Sequence, residues 1–482
     1  MITGTCFSGR RYAVLGLART GQAVVASLVA SGAEVTAWDA REEPRAAVAN
    51  AHGGRVVLAD PCGIDLDGFA AVVVSPGVPI NRHPLGEKAR AAGVPLVCDI
   101  ELFAQARAEL PPHRVVGITG TNGKSTTTAL VHHLLESAGL PAIMGGNIGL
   151  PVLGQHALQP NARGTGVYVL ELSSYQIDLT QSLACEVTAL LNLSPDHLDR
   201  YGDFATYAAS KARLFAMQTG DAVAVFGTTD ADTTRIAADE IVRRGASHVR
   251  LEDGARLAAM QAGWPSLQGP HNLQNAAVAV AIVEALGLTE ADWGPAMARF
   301  RGLPHRMERV AEACGITFVN DSKATNPASA APALAAFPPR GDGRPRIHWI
   351  LGGLPKGEDL DECAPHFGNV AAAYTIGDAG PLFAELLSPH MPVTRSEMMG
   401  EAIRQAMVAA SDGDVVMLSP ACASFDQFRD YEVRGQHFRQ IVEALIVDGH
   451  CGREAVPQET SGDCAVVSEG ASCADPSEER RP

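Results

Sequence analysis

The sequence predicts a three-domain α/β protein in which helices cover largely parallel β-sheets. Short apolar runs rich in β-branched residues alternate with alanine-rich helical stretches, a pattern typical of parallel sheets. The 482 residues correspond to about three domains at roughly 150 residues each, and a hydrophobic content of 46% can fill several cores. We expect domains over residues 1–110, 111–304 and 305–448, followed by a tail over 449–482.

Strand-like runs recur through each predicted domain. Pro111-Pro112 marks the first domain boundary and Leu303-Pro304-His305 the second, because proline interrupts both strands and helices. The predicted strands are 11–17, 34–39, 71–75 and 95–100 in the first domain, 114–119, 167–172, 187–193 and 222–226 in the second, and 316–320, 347–351, 372–376 and 414–418 in the third.

The composition argues against nucleic acid and membranes as partners. A formal net charge of −16 and an aromatic content of 5% disfavour binding to phosphate backbones or unstacked bases. No apolar stretch is long enough for a membrane span, and the N-terminus shows no secretory signal. The ten cysteines form no C-x-x-C pair, which indicates reduced thiols. We expect a cytoplasmic monomer with a disordered acidic tail, no nucleic-acid binding and no membrane insertion.

A glycine-rich turn between a predicted strand and a predicted helix is the strongest local signal. It reads Gly120-Thr121-Asn122-Gly123-Lys124-Ser125-Thr126. The backbone N–H groups of such a turn and the helix N-terminus bind phosphate oxygens. Lys124 can reach the β- and γ-phosphates of a nucleotide, and the Ser125 hydroxyl can ligate Mg²⁺. The spacing differs from the common Gly-x-x-x-x-Gly-Lys motif, so the alternative is a glycine-rich turn that merely contains a lysine.

Glu171 and His197 follow two successive strand runs, at the edge where parallel sheets place their ligands. A charge inside the apolar run before Glu171 is costly unless it is paired or metal-bound. The alternative for Glu171 is a helix cap or a surface pair. A single histidine such as His197 is more often structural, but the two positions together predict a magnesium site.

Lys211 falls on the apolar face of a predicted helix over 204–215. The simpler interpretation is a lysine that extends its amine to solvent. Burial, however, lowers the pKa of a lysine and makes its neutral amine available. A neutral amine can add CO₂ to give a carbamate, which is anionic and can ligate Mg²⁺.

The phosphate loop, residues 120–126, resembles that of the Mur ligase and folylpolyglutamate synthase superfamily, and the resemblance spans about residues 10–447. It implies a Rossmann-like N-terminal domain, a central P-loop-type ATPase domain and a Rossmann-like C-terminal domain. It also implies activation of a carboxylate by ATP and Mg²⁺ as an acyl phosphate. The roles that follow from it are catalysis by Lys124, His197, Lys211 and Lys323, carbamylation of Lys211, metal binding by Ser125, Glu171, His197 and Lys211, and ATP contacts from the phosphate loop, Asn272, Asn275, Arg306 and Asp321.

The N-terminal domain carries a second nucleotide signal. Gly16-Leu17-Ala18-Arg19-Thr20-Gly21 follows the first strand run but lacks the G-x-G-x-x-G pattern, which argues against an NAD-dependent oxidoreductase. The segment resembles the UDP pocket of Mur ligases that add D-glutamate to UDP-N-acetylmuramoyl-L-alanine in peptidoglycan precursor synthesis. The resemblance implies sugar-nucleotide contacts from Leu17, Thr20, Asp39, Arg41, Ser75, Gly77 and Asn147, and D-glutamate contacts from Thr325, Lys356, Ser424 and Tyr431.

Residues of the third domain help to distinguish between the remaining alternative functions. The run Ser322-Lys323-Ala324-Thr325-Asn326 disfavours both a Mur ligase for another amino acid and folylpolyglutamate synthase. An NTPase that only regulates a partner would need neither the inward Lys211 nor a second nucleotide domain. Two departures from the family pattern stand out: Leu354-Pro355 replaces a commoner polar pair, and Tyr431 stands where phenylalanine is usual.

Overall fold

A computed structural model describes residues 1–355 and 357–447, except for the side chain of Asp199. The chain forms three α/β domains, as the sequence predicts, each built around a sheet of five or six strands. The predicted tail over 449–482 and the predicted D-glutamate contact Lys356 lie outside the described residues. Within the described ranges, no helix is long and apolar enough to cross a membrane.

Parallel strands joined by helices make up the N-terminal domain. The strands are β1 (Arg11–Leu15), β2 (Glu34–Trp38), β3 (Val56–Leu58), β4 (Phe69–Val74) and β5 (Leu96–Val97), and the helices are α1 (Arg19–Ala30), α2 (Glu42–His52), α3 (Pro84–Ala91) and α4 (Asp99–Ala106). The strands pair in the order β3-β2-β1-β4-β5, all parallel. The prediction of a strand over 95–100 is wrong beyond Val97, because Asp99 begins α4.

The central domain has a six-stranded parallel sheet that carries the phosphate loop. Its strands are β6 (His113–Thr119), β7 (Ala142–Gly146), β8 (Gly166–Glu171), β9 (Val187–Leu190), β10 (Val223–Gly227) and β11 (Val249–Glu252), and its helices are α5 (Lys124–Ser137), α6 (Ser174–Asp178), α7 (Leu198–Tyr201), α8 (Phe204–Ala216), α9 (Ala231–Arg244), α10 (Pro270–Ala285) and α11 (Glu290–Met297). The order is β11-β10-β9-β6-β8-β7. The register of β6 and β8 sets Ile118 beside Glu171, so the phosphate loop and Glu171 lie at the same edge.

The C-terminal domain is mostly parallel, with one antiparallel edge strand. Its strands are β12 (Glu308–Ala313), β13 (Ile316–Asn320), β14 (Ile347–Gly352), β15 (Val370–Ile376), β16 (Val393–Glu397) and β17 (Val415–Leu418), and its helices are α12 (Pro327–Ala335), α13 (Gly380–Leu387), α14 (Met399–Ala409) and α15 (Tyr431–Val447). The order is β12-β13-β17-β14-β15-β16, and β12 runs antiparallel to β13. Separate apolar cores cover the two faces of this sheet.

The hydrophobic core of the N-terminal domain continues into the central domain. Phe103 of α4 packs against Tyr168 of β8, with ring centroids 5.0 Å apart. The Glu101 carboxylate accepts hydrogen bonds from the backbone N–H groups of Gln181 (2.7 Å) and Ser182 (2.9 Å). These contacts fix the two domains so that the carboxyl ends of their strands face a shared cavity.

Candidate active site

A cavity of about 820 Å³ lies where the three domains meet. Predicted site residues from all three domains share its wall: Thr20, Asp39, Arg41, Ser75 and Gly77 from the first domain, Ser125 and Asn147 from the second, and Arg306, Lys323 and Tyr431 from the third. The fold therefore brings the predicted sugar-nucleotide contacts other than Leu17, and part of the predicted ATP site, into one space.

Asp39 organises the N-terminal wall of this cavity. Its carboxylate accepts hydrogen bonds from the backbone N–H of Leu17 (2.8 Å) and from the backbone N–H and Nε of Arg41 (3.0 and 3.3 Å). Burial favours the neutral acid, but these hydrogen bonds outweigh it and lower the pKa of Asp39 below its ordinary value. The charged carboxylate thus fixes both the turn after β1 and the Arg41 side chain.

Leu17 does not take the position expected for a substrate contact. Its apolar side chain is fully buried in the N-terminal core and is not part of the cavity wall. Its backbone N–H is already engaged by Asp39. Arg19, which was not among the predicted site residues, lines the cavity two positions later. The expectation for Leu17 is corrected accordingly, and Arg19 becomes the candidate.

The Lys124 side chain folds back onto its own phosphate loop. Its Nζ donates hydrogen bonds to the carbonyl oxygens of Gly120 (3.0 Å) and Thr121 (2.7 Å). Burial lowers the pKa of Lys124, and the negative charge of Glu171 opposes that shift. The amine therefore stands at the loop, close enough to Glu171 for their charges to interact.

Gly123 allows the phosphate loop to pass against α10. It has a left-handed backbone with φ of 81°, and a Cβ there would collide with the Asn275 Oδ1. The Nδ2 of Asn275 donates a hydrogen bond to the Asn272 Oδ1 at 3.3 Å. Asn275 therefore lies against the loop, and Asn272 is connected to the loop through Asn275.

A second cavity of about 240 Å³ lies between the central and C-terminal domains and includes Asn272 in its wall. The Asn272 Nδ2 donates a hydrogen bond to the Gln268 carbonyl oxygen (3.1 Å), which orients the amide. Thr317 and Phe337 form part of the opposite wall. A slot with an aromatic side chain in its wall and a fixed amide suits a planar heterocycle, because an asparagine presents both a donor and an acceptor.

Glu171 presents an unsatisfied oxygen at the end of β8. The residue is 2% exposed, and its Oε1 accepts a hydrogen bond from the Asn147 Nδ2 at 3.0 Å. Its Oε2 is buried and, among the described residues, has no hydrogen-bond partner. A buried carboxylate oxygen of this kind is costly unless a donor or a cation meets it. Its chemistry fits an oxygen-preferring divalent cation.

Lys211 turns inward from α8, as its helical spacing predicts. It is 2% exposed, and its Nζ donates a hydrogen bond to the Thr119 Oγ1 at 3.4 Å, at the end of β6. Burial, reinforced by the positive charge of Lys124, lowers the pKa of Lys211 to about 7. The lowered pKa favours the neutral amine that carbamylation requires.

His197 stands in an unusual backbone conformation beside the same helix. It is left-handed with φ of 52°, and its ring centroid lies 5.0 Å from that of Tyr175 and 6.3 Å from that of Tyr207. The Lys211 Nζ lies 4.8 Å from the same Tyr207 ring. Strained backbone of this kind clusters at functional sites because the surrounding structure must hold it in place.

The residues predicted to bind metal do not form a preformed cage. In the described part of the chain, no three His, Cys, Asp or Glu side chains converge on one point. Mg²⁺ usually takes only one or two protein carboxylates and completes its shell with water and phosphate oxygens. Glu171, with its open oxygen, and Ser125, at the start of α5, fit an ion of that type.

The hinge into the C-terminal domain carries Arg306 and holds Asp321. The Asp321 carboxylate accepts hydrogen bonds from the backbone N–H of Met307 (3.1 Å) and from the Ser419 hydroxyl (2.8 Å). Complete burial raises the pKa of Asp321 to about 7. His305 and Met307 on either side of Arg306 both have left-handed backbone, with φ of 63° and 47°. The hinge is thus strained where it directs Arg306 into the cavity.

Lys323 joins the hinge to α15. Its backbone N–H donates a hydrogen bond to the His305 carbonyl oxygen (2.9 Å), and its Nζ lies 3.8 Å from the centre of the Tyr431 ring. Both side chains line the main cavity. A cation over an aromatic face is stabilised electrostatically, so Tyr431 holds the Lys323 amine at the cavity wall.

Arg434, which was not predicted, ties together the two loops that carry Thr325 and Ser424. Its guanidinium donates hydrogen bonds to the hydroxyl (3.0 Å) and carbonyl (2.9 Å) of Ser322 and to the carbonyl of Cys422 (3.0 Å). It is 1% exposed. A fully buried arginine is expensive unless its donors are satisfied, so these loops are held rigidly beside one another.

Gln176 is a second cavity residue that was not predicted. Its side chain and that of Ser173 form a capping box at the start of α6, immediately after Glu171 and Leu172. The Ser173-x-x-Gln176 spacing is a sequence signal for such a box and would have placed the helix start. Nothing in the spacing indicates that the same glutamine faces the cavity.

The sequence matches three family descriptions in the order of its domains. Residues 10–98 match "Mur ligase MurD-like, N-terminal domain", residues 118–283 match "Mur ligase middle domain", and residues 305–422 match "Mur ligase, glutamate ligase domain". Two solved structures from Thermotoga maritima share the fold. A MurF ligase in complex with ADP gives a TM-score of 0.54 at 14% identity, covering 92% of this chain and 97% of that one. UDP-N-acetylmuramate-alanine ligase gives 0.52 at 17% identity, covering 90% and 99%.

Curated relatives are similar over nearly their whole length. The chain is 67% identical over 448 residues to UDP-N-acetylmuramoylalanine--D-glutamate ligase of Novosphingobium aromaticivorans, covering 93% of this chain and 98% of that protein. It is 58% identical over 445 residues to the protein of the same name from Sphingopyxis alaskensis, covering 92% and 100%. With the matched domains and the shared fold, this similarity makes the chain a member of the Mur ligase family.

Proposed function

We propose that the chain is an ATP-dependent ligase that adds D-glutamate to UDP-N-acetylmuramoyl-L-alanine in the cytoplasm, in peptidoglycan precursor synthesis. The observation that carries the proposal is the 67% identity to a ligase of that name over 98% of its length. The geometry supports it. A single cavity is lined by predicted sugar-nucleotide contacts of the N-terminal domain, by Ser125 of the phosphate loop, and by Arg306 and Lys323 of the C-terminal domain.

The ATP site extends from the phosphate loop to the smaller cavity. The loop's backbone donors and Lys124 bind the phosphate groups, and the Gly123–Asn275–Asn272 contacts lead to the slot that takes adenine. Arg306 reaches the main cavity from the hinge. The alanyl carboxylate attacks the γ-phosphorus and ADP leaves, which gives an acyl phosphate. Lys124 and Arg306 stabilise the negative charge that is redistributed during this transfer.

Mg²⁺ would be held by Glu171 through its open oxygen and by the Ser125 hydroxyl, with His197 and carbamylated Lys211 beside them. When bound, the ion supplies charge neutralisation at the phosphoryl group. The contribution of this chain is to orient the Glu171 carboxylate through Asn147. Burial of Lys211 keeps its amine neutral enough to be modified.

The amino acid enters from the C-terminal domain. Thr325, Ser424 and Tyr431 lie on the segments that Arg434 and Lys323 hold in place, and we assign to them, with Lys356, the two carboxylates of D-glutamate. The amine of D-glutamate attacks the carbonyl carbon of the acyl phosphate. Phosphate then leaves, and the amide bond is formed. Positively charged and hydroxyl donors suit a dicarboxylate.

The amino-acid specificity tests the proposal directly. With UDP-N-acetylmuramoyl-L-alanine and ATP, D-glutamate should support phosphate release. L-glutamate and diaminopimelate should support a rate roughly 10²-fold lower, or none, because a site built on fixed polar donors rejects a substrate that leaves those donors unpaired. The measurement is amino-acid-dependent phosphate release across the common L- and D-amino acids. Equal rates with L-glutamate would refute the assignment.

Lys356→Ala should raise the KM for D-glutamate about tenfold or more, because a charged hydrogen-bond donor to a carboxylate is lost before the transition state. Leu354, two residues earlier in the sequence, exchanges two backbone hydrogen bonds with Ala423, both 3.0 Å, and this places Leu354 close to the segment that carries Ser424. The KM for ATP serves as the internal control and should stay constant. An unchanged KM for D-glutamate would show that Lys356 lies outside the amino-acid site.

A further inference from the structure

Three of the residues to which the proposed function assigns Mg²⁺ lie on, or next to, three different helices of the central domain. Helix α6 begins at Ser174, soon after Glu171 at the end of β8. His197 is the N-cap residue of α7, and Lys211 lies on α8. A metal site assembled from separate elements depends on contacts that hold those elements in place, because a displaced ligand binds the metal less well.

The Asp178 carboxylate joins all three helices. Asp178 is the last residue of α6. Its Oδ2 accepts a hydrogen bond from the Tyr201 hydroxyl of α7 at 2.8 Å, and its Oδ1 accepts one from the Ser210 hydroxyl of α8 at 2.6 Å. Ser210 is 5% exposed and immediately precedes Lys211. Each carboxylate oxygen therefore connects α6 to one of the other two helices.

Local structure does not account for a carboxylate at position 178. A negative charge is unfavourable at the C-terminal end of a helix, where the last carbonyl oxygens carry the negative end of the dipole. The Arg213 guanidinium of α8 also reaches this region and donates a hydrogen bond to the Thr180 carbonyl oxygen at 3.2 Å. The attachment of α8 to the segment after α6 therefore does not depend on Asp178 alone.

Tyr201 extends this connection to His197 through packed aromatic rings. The centroid of the Tyr201 ring lies 6.2 Å from that of Tyr175 and 5.5 Å from that of Tyr207. The same two rings flank His197, at 5.0 and 6.3 Å. The left-handed backbone of His197 must be held by its surroundings. A hydrogen bond that fixes Tyr201 therefore helps to fix His197.

We propose that Asp178 is a positioning residue for the Mg²⁺ site and acts by holding α7 and α8 against α6. In this way it sets the spacing between Glu171, His197 and Lys211. The inference rests on the proposed function, which assigns Mg²⁺ to these residues. Asp178 does not line the main cavity, so it acts through its neighbours and not by contact with substrate. Removal of such an outer partner typically lowers metal affinity or activity roughly 10- to 100-fold.

The alternative is that Asp178 only stabilises the fold. A residue with that role would change the melting temperature, and the folded protein would keep its metal affinity. A positioning residue changes the metal affinity of the folded protein. It also changes kcat without changing the KM for D-glutamate, because the amino acid is assigned to the C-terminal domain. Metal affinity and the separation of kcat from KM therefore distinguish the two roles.

Asp178→Asn tests the proposal, because asparagine keeps the size of the side chain but turns an amide N–H group towards one of the two hydroxyl donors. Mn²⁺ serves as the probe for Mg²⁺, and its binding to the full chain with saturating ADP is measured by electron paramagnetic resonance. The Kd for Mn²⁺ should rise about tenfold, and kcat should fall by a similar factor. Asp178→Glu should recover part of both losses, because it retains two acceptor oxygens.

Tyr201→Phe is a second variant that removes a single hydroxyl and keeps the aromatic ring. It should raise the Kd for Mn²⁺ by a smaller factor than Asp178→Asn. Combining the two substitutions should add little to the loss in Asp178→Asn, because both break the same hydrogen bond.

Asp292→Asn is the matched control. Asp292 is also a partly exposed carboxylate of the central domain, and it accepts a hydrogen bond from the Thr289 hydroxyl at 2.8 Å. It lies on α11 and does not line the main cavity. Asp292→Asn should lower the melting temperature and leave the Kd for Mn²⁺ and kcat close to wild type.

The outcomes are distinguishable. An unchanged Kd for Mn²⁺ in folded Asp178→Asn would overturn the proposal, as would an equal rise in Asp292→Asn. If Asp178→Asn does not fold, wild-type Mn²⁺ affinity in Tyr201→Phe would overturn it. If the wild type binds Mn²⁺ and turns over D-glutamate and Asp178→Asn equals it in both, only this inference fails. If the wild type does neither, the proposed function fails with it.

Discussion

Replacing Lys211 with alanine is expected to lower kcat by roughly 10³-fold while the protein remains folded, because the carbamate that we propose on this lysine, an anion beside the Mg²⁺ site, is removed. The buried amine has its pKa lowered to about 7, chiefly by burial. Burying an ammonium is unfavourable, so losing it removes no stabilising charge from the fold. The contact between the Lys211 amine and the Tyr207 ring is lost, which costs a little stability.

Several measurements check the Lys211 prediction. Circular dichroism and melting temperature should show a folded Lys211→Ala variant, and phosphate release should be nearly absent. Formate or acetate should restore part of the activity, because a small carboxylate can fill the vacated space with an anion. Depletion of CO₂ and bicarbonate should lower wild-type activity if the carbamate exchanges. Near-normal turnover of Lys211→Ala would reduce this lysine to a packing role.

Lys124→Ala is expected to lower kcat/KM for ATP roughly 10²- to 10³-fold, because one positively charged donor to the transferring phosphoryl group is lost. In this structure, the amine donates to two carbonyl oxygens of its own loop. Its release to a phosphate would exchange two neutral acceptors for a charged one, which strengthens the interaction.

Lys88 supplies a matched control for Lys124. Its Nζ also donates to two backbone carbonyls, those of Cys62 and Ile64, but it lies in the N-terminal domain and does not line the cavity. Lys88→Ala should lower the melting temperature and leave kcat/KM close to wild type. Steady-state kinetics on both variants distinguishes loss of a phosphate contact from loss of a loop anchor. Equal kinetic losses would mean that Lys124 acts only through the structure of its loop.

Central strands were predictable because both faces of a parallel sheet are buried, and this leaves continuous apolar runs such as that of β8. The strands that were missed lie mostly at edges. β12 and β16 carry polar residues because one side of an edge strand is exposed, and β7 contains two glycines. The strand expected over 95–100 failed for a different reason: the apolar run continues through Ile100, but from Asp99 it belongs to α4.

Site residues could be predicted from the sequence where a charged side chain interrupts an apolar pattern. Glu171 interrupts an apolar strand, and Lys211 interrupts an apolar helix face; both are buried in the structure, although their roles remain predictions. Arg19 gives no such signal, because an exposed arginine at a helix start looks like an ordinary surface residue. Arg434 also gives no signal in the sequence, because its burial depends on the loops that contain Ser322 and Cys422, of which the first is distant in sequence.

The most direct test of ligase activity is mass spectrometry of the products from a reaction with substrate labelled with ¹⁸O in its alanyl carboxylate. The carboxylate oxygen that attacks ATP leaves with phosphate, so we expect one ¹⁸O in the released phosphate for each molecule of UDP-N-acetylmuramoyl-L-alanyl-D-glutamate formed. Phosphate released without ¹⁸O, or without the new amide, would contradict activation of the carboxylate as an acyl phosphate by this chain.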